Sequence, residues 1–439
     1  MSISQRPRGW MRAGAIVAAG TLGTAAACTA PADEGDPDEP TTITVDVFGN
    51  FGYSEAGLYE EFEEMHPDIE IRERGTGMEL GDYDERLTQW LAAGSGTGDI
   101  IALEEGILTR LKEQPDHFVD LYEHGAGDME EDFLDWKWEQ GHDADGDQLL
   151  GLGTDVGGLA MCYRVDLFEK AGLPTDRDEV SELWPTWDDY IDVGERFREA
   201  GLDAGFLDAA TNTFNAILMQ RAGETTGYTY FDEAGEFVVD DNPAVKDAWD
   251  TTLGMLDAGL SANLMSFSDQ WNSGFRAGTF ATIACPAWML GYIEDQAGDA
   301  GEGKWDVATI PGEGGNWGGS FLAVSSQSEH QEEAAELARF LTSPESHLKV
   351  FQALGNLPST VTALAEPELL EHRSEYFNDA PVGEIFGTGA QELDPVYLGA
   401  DNQPVRDEME NALRAIEEGT LDPGEAWETA VNNAERVGR

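Results

Sequence analysis

The stretch IALEEG, residues 101–106, sets Glu104 and Glu105 side by side where a strand-like run gives out. Adjacent carboxylates can accept hydrogen bonds from hydroxyl groups or work as an acid and base pair. In a chain with 87 acidic residues such pairs are unavoidable, so the pair alone identifies no catalytic dyad. Its company says more. FGNFGYSE (48–55) offers Phe48, Asn50 and Phe51 just past the first strand-like run, the end at which open α/β sheets bind ligands. GTDVGG (153–158) puts Asp155 among glycines that let backbone approach closely. ACPAWM places Trp288 close to Pro286, and GGNWGGS places Trp317 before Gly318 and Gly319. SDQWNSGF adds Trp271, which a helix-face core role explains as well. Carboxylates and amides suit hydroxyls, and aromatic faces suit C–H surfaces, so the set fits a neutral sugar.

Metal and covalent chemistry find less support. The seven histidines are scattered, and the cysteine and histidine spacings of zinc sites are absent. DADGDQ (143–148) brings Asp143, Asp145 and Asp147 together like a calcium loop. Its sixth position, however, is Gln148 rather than Gly, and its twelfth is Thr154 rather than Glu. It reads as a solvated turn. There is no GxSxG elbow, P-loop or dinucleotide fingerprint, and GEGGNWGG lacks the lysine a P-loop needs. No cofactor and no metal are expected.

The formal net charge of -62, with 25 basic residues, excludes nucleic acid as a partner, because such binding neutralises phosphates with cations. It also argues against anionic ligands, since no local basic pocket is visible. Self-repulsion of this size is relieved by screening, so a salt-rich habitat is expected.

Periodicity supplies the elements that position these residues. ITVDVF (43–48) alternates as a strand, and the helix after it puts Leu58, Phe62 and Met65 on one face. DIEIRE is strand-like, DYDERLTQWLAAG aligns Leu87, Trp90 and Leu91, and GDIIALEE returns to strand. That β-α-β-α-β order predicts a parallel sheet covered by helices, with Ser54, Asp82 and Asp84 as candidate helix caps. A second lobe begins near Gly157 with the strands GGLAMCYRV, TFATIACPAW and WDVATIP; later helical runs cover 329–342, 344–354 and 404–418. Cys162 and Cys285 lie in two of these strands, either as one disulfide or as two buried thiols.

The chain begins with Arg6, Arg8 and Arg12, then an uncharged run, Ala13 to Ala27, too short to span a bilayer. Such a run fits a secretory signal. Ala25-Ala26-Ala27 directly before Cys28 resembles the lipobox of bacterial lipoproteins, which implies lipidation of Cys28 and an anchor on the membrane's outer face. Residues 28–42, acidic and proline-broken, read as an extended tether.

Several motifs follow in order: GTDVGGLAMCYRVDLFEKAGLP with WPTWDDYIDVGERF, GTFATIACPAWM, GGSFLAVSSQSEHQEEAAELARFLTSPES, and GNLPS. Together they resemble the extracellular sugar-binding proteins of ABC importers, the maltose-binding-protein-like group. The CYRVDLFEKAGLPTDRDEVSELWPTWDDY stretch is most similar to cello-oligosaccharide-binding lipoproteins. The resemblance implies an α/β, periplasmic-binding-protein type II-like clamshell, two lobes on a triple-crossing hinge. Crossings would lie near Thr154 to Gly157, Thr309 to Gly312 and Gly355 to Pro358. Residues 1–27 are then the signal, 28–42 the tether, 43–154 and 311–358 lobe 1, and 155–310 and 359–439 lobe 2. DAATNTFN corresponds to a lobe-2 loop that meets ligand, nominating Asn212, Thr213 and Asn215. The implied protein is a monomer that hands an oligosaccharide to permease subunits; the rival class is a secreted glycoside hydrolase.

Overall fold

The computed structural model describes residues 40–312, 314–390, 393 and 395–438. The signal segment, Cys28 and the tether up to Glu39 lie outside the described residues. The tether's expected end is corrected, because Thr41 and Thr42 already open the first strand.

In chain order the first lobe supplies β1 (Thr41–Asp46), β2 (Ile69–Arg74), β3 (Ile100–Glu104) and β4 (Leu152–Gly153). β5 (Asp155–Val156) leads out of it. The second lobe holds β6 (Leu159–Arg164), β7 (Gly205–Leu207), β8 (Phe280–Pro286) and β9 (Trp305–Ala308). β10 (Ser320–Val324) returns to the first lobe and β11 (Leu357–Pro358) leaves it again.

The first sheet runs β2-β1-β3-β10-β4. β1 pairs in parallel with β2 and β3, as the β-α-β-α-β pattern predicts. β10 is antiparallel to β3 and β4, so the sheet is mixed. Its origin in a later, returning segment is what local periodicity did not reveal. Ile43 and Val45 on one face of β1, and Val47 just past its end, are wholly buried under the helices Leu58–Met65 and Gln331–Leu341. Leu58 and Phe62 join that core, but Met65 in the helix's last turn is 53% exposed. Leu87 and Leu91 are buried as expected, whereas Trp90 stands half-buried under the Arg74 guanidinium, 5.4 Å from its ring centre. The expected side-chain caps are not made. Gly57, in the left-handed region, starts the first helix, and Asp82 and Asp84 lie inside the helix Leu80–Ala93, where Asp84 pairs with Arg110.

The second sheet runs β7-β8-β6-β9. β6 and β8 are antiparallel, with Cys162 opposite Ile283 and Cys285 opposite Ala160. That register brings the two thiols to one face with Cα atoms 5.5 Å apart, and they form a disulfide. A dense aromatic layer of Phe168, Trp184, Tyr190, Phe197 and Phe206 fills the space under the helix Trp187–Glu199.

Three chain segments join the lobes. β5 and β11 pair antiparallel, with Leu357 opposite Val156 and Pro358 opposite Asp155. The third segment, between β9 and β10, is tied to the first. Gly157 N donates to Gly318 O (3.0 Å) and to Asn316 Oδ1 (2.7 Å), and Trp317 N donates to Gly157 O (2.8 Å). Contact is so close that a Cβ on Gly157 would lie 1.8 Å from Trp317 O, so only glycine fits there.

Candidate functional site

Where β3 ends, Glu104 caps the short helix Glu105–Leu111, its Oε2 accepting from Gly106 N (2.7 Å) and Ile107 N (3.4 Å). Glu104, Glu105 and Gly106 form one wall of a cavity at the hinge. The opposite wall is second-lobe: Asn215, Leu218 and Met219 of the helix Ala210–Thr225, then Tyr230, and Asn402, Gln403 and Arg406 of the helix Asn402–Glu417. Trp317 and Gly318, on the crossing, close the side. The cavity holds about 30 Å³ of water-accessible space. A ligand pocket needs roughly 300 Å³ or more. As it stands, this space is smaller than such a pocket.

Charge in this cavity is arranged in pairs. Arg406 Nε donates to Glu410 Oε1 at 2.7 Å, and Asn215 Nδ2 donates to the same oxygen at 2.7 Å. The Arg406 guanidinium also lies 5.8 Å from the Trp317 ring centre, within cation–π reach. Glu105 Oε1 accepts from the buried Lys137 Nζ at 3.0 Å. Glu104 has no such partner. Burial, then the neighbouring Glu105, pushes its carboxyl up to about 7, while the Gly106 N–H and Arg406 pull it back. Tyr230, 1% exposed, has a hydroxyl with no hydrogen-bond partner. An unsatisfied hydroxyl beside a carboxylate, a guanidinium and an indole is an arrangement that a polyhydroxylated ring would complete.

Of the residues singled out in the sequence, Glu104, Glu105, Asn215, Trp317 and Gly318 come together at this cavity. Asp155 stands just behind it, its Oδ1 accepting from Thr154 Oγ1 (2.7 Å) and Ser320 N (3.0 Å). Trp288 is half-buried behind the crossing, its Nε1 3.5 Å from Trp317 O. The remaining candidates go elsewhere. Asn50 holds its own turn, bonding Glu55 and accepting from Gly52 N, while Phe48 and Phe51 pack edge-on into the first-lobe core. The expected loop at DAATNTFN is the first turns of a helix, in which Asn212 and Thr213 are buried and bond Ala284 O and Ala209 O. Trp271 is wholly buried and donates to Asp208, a core position. DADGDQ is a turn held by Asp143 Oδ1, which accepts from Asp147 N and Gln148 N.

Arg406, paired with Glu410, is a basic group of the cavity lining that the sequence reading did not single out. Its only local signal was a glutamate four residues on, the spacing of a helical ion pair. Tyr230 and Met219 gave no signal, because distant segments bring them to the cavity.

Two α/β lobes, three crossings and a polar, indole-walled cavity at the hinge define a type II periplasmic-binding-protein fold, built to close on a solute. The chain belongs to the bacterial extracellular solute-binding proteins, a family whose model matches residues 57–374. Its place is thus outside the cytoplasm, and its class is a binding protein, which removes the glycoside hydrolase alternative. It is 26% identical over 406 residues to the arabinooligosaccharide-binding protein of Bacillus subtilis (strain 168), covering 86% of this chain and 87% of that one. A solved extracellular solute-binding protein of family 1 is 39% identical with a TM-score of 0.77, covering 91% of this chain and 100% of the other. The ABC-transporter-associated binding protein of B. animalis subsp. lactis Bl-04, solved with β-1,6-galactobiose, shares the fold at 19% identity, TM-score 0.76, covering 91% and 99%.

Proposed function

We propose that the chain is the substrate-binding subunit of an ABC sugar importer, capturing an oligosaccharide and delivering it to permease subunits. The observation that carries this reading is the hinge cavity, where Glu104 of one lobe faces Arg406, Tyr230 and Trp317. Its donors, acceptors and indole match a neutral sugar, and its division between lobes lets a bound sugar favour closure. The names of the relatives, an arabinooligosaccharide-binding protein and a galactobiose complex, support sugar as the ligand class. Cello-oligosaccharides are the first choice within it, from the family resemblance. Lobe 1 is taken as 41–154 with 311–358 and lobe 2 as 155–310 with 359–439, working as a monomer.

A thermal-shift panel of cellobiose, arabinotriose, galactobiose and maltose tests this, because a ligand that binds only the folded state raises Tm. At least one should shift it; no shift with any would sink the sugar reading. In the same assay Trp317→Ala should lose most of the shift, whereas Trp288→Ala, one layer back, should lose less. The panel at low and at molar salt tests salt adaptation: Tm should climb with salt, and a flat response defeats that part.

A lipid on Cys28, with residues 29–39 as spacer, would hold this body at the membrane surface. Acyl labelling of the full chain should vanish in Cys28→Ser. Label retained in that variant, or absent from the parent, refutes the anchor.

A further inference from the structure

Lys137 is one of only six lysines, and it is wholly buried. Its Nζ donates to Glu105 Oε1 at 3.0 Å and lies 4.1 Å from the centre of the Phe321 ring. Burying an ammonium is costly, and an apolar residue of the same length would ordinarily serve a core better. The surroundings suggest why a lysine stands here. Glu105 lines the cavity, and its backbone N donates to Gly319 O (3.1 Å), on the crossing that carries Trp317. Gly319 has φ +139°; a Cβ there would lie 2.6 Å from Lys137 Nζ, 2.7 Å from Asp155 O and 2.9 Å from Glu105 Oε1. A Cβ on Gly153, at the start of the first crossing, would lie 2.8 Å from Lys137 Cγ. The lysine thus runs between two of the three crossings and ends on a carboxylate of the cavity wall.

Resting on the sugar-capture reading above, we infer that Lys137 is a positioning residue for that capture, fixing the Glu105 carboxylate and the Gly318–Gly319 crossing in one geometry. It touches no ligand itself. The charged groups facing the pair are Glu104 on the same turn, Asp155 on β5 and, across the cavity, Arg406. Lys137 draws the Asp155 carboxyl down against the burial that raises it, so removing the ammonium leaves Asp155 more prone to hold a proton.

The test uses the mature chain with cellobiose, or arabinotriose if cellobiose gives no shift, and measures Kd by titration calorimetry. Lys137→Met should weaken binding about tenfold or more near neutral pH, and its affinity should depend on pH differently from the parent's, because Asp155 is no longer drawn down. Glu105→Gln should weaken binding too. The double variant Lys137→Met/Glu105→Gln, which removes both ends of the ion pair, should bind within about threefold of Glu105→Gln, because both changes break one unit. A lysine serving packing alone would give additive losses and parallel pH profiles, and either result overturns the inference. If Lys137→Met does not fold, the comparison of Glu105→Gln with the double variant decides alone. Should the parent bind neither sugar, the capture reading fails first, and amide exchange at Gly157 and Trp317 judges the lysine instead. Exchange faster by about tenfold than the parent's in Glu105→Gln, and equally fast in the double variant, keeps the pair's hold on the crossing; parental rates in both remove it.

Discussion

Trp271→Ala is expected to cost about 3–5 kcal/mol of folding stability while leaving the sugar affinity of the folded molecules unchanged. The indole is 0% exposed and is enclosed by Phe275, Phe267 and Tyr292, with ring centres 4.6, 5.0 and 5.5 Å away. Removing it opens a cavity that the surrounding helices and β8 can fill only in part. It also takes away the N–H that donates to Asp208 Oδ2 at 2.8 Å, leaving a buried carboxyl with no side-chain donor. Both terms push the same way, so the effect belongs at the upper end of that range. Urea unfolding with a fluorescence-independent probe measures the loss, and titration of the folded fraction measures affinity. A variant of near-parental stability that binds sugar poorly would return Trp271 to the cleft.

That contrast marks how far the sequence could be read. Trp271 and Trp317 sit in similar company, one in DQWNS and one in GNWGG, and no local rule separates them. Trp271 falls on the buried face of the helix Asp269–Ala277, whereas Trp317 rides a crossing whose path depends on both sheets. The strands were legible because runs such as GGLAMCYRV and TFATIACPAW are apolar and glycine- or proline-bounded, and they emerge as β6 and β8. Strand partners were less so: β10 enters between β3 and β4 from a segment more than 150 residues away from either. The cavity follows the same division. Glu104 and Glu105 were nominated because the third strand ends there, where the family that the chain resembles positions polar contacts with sugar hydroxyls. Arg406 and Tyr230 were missed because the second lobe is assembled from helices far apart in sequence, and nothing in NQPVRDEM says which face looks at the hinge. The lysine between two tryptophans in DWKWEQ was equally silent; its burial comes from packing under the crossings.

Asp208→Asn should change how stability depends on pH by more than any surface carboxylate can. Asp208 is wholly buried after β7, with Oδ2 bonded by Trp271 and Oδ1 without a partner. Burial pushes its carboxyl up to about 7; the Trp271 N–H and the amides of Ala209 and Asp208 draw it down, and Glu417 pushes it up. In the unfolded chain the same group titrates near ~3.9. Between those values the folded state holds a proton that the unfolded state has released, so stability from this group falls as pH rises. Its contribution is fully present below about pH 4, and it is lost once pH has passed about 7. With about 3 units of difference at 1.36 kcal/mol each, the swing is on the order of 4 kcal/mol. An asparagine carries no such proton. Its stability relative to the parent should therefore climb by about that amount between pH 4 and 8, whatever constant offset the amide's own unpaired donor adds. Glu104, raised by burial and not among the groups acting on Asp208, titrates in parent and variant alike and drops out of the difference. Urea unfolding of both proteins across that pH range, at fixed molar salt, supplies the curve. Parallel curves would mean that Asp208 is ionised in the folded protein throughout, and that a cation or water outside the protein's own groups satisfies its free oxygen.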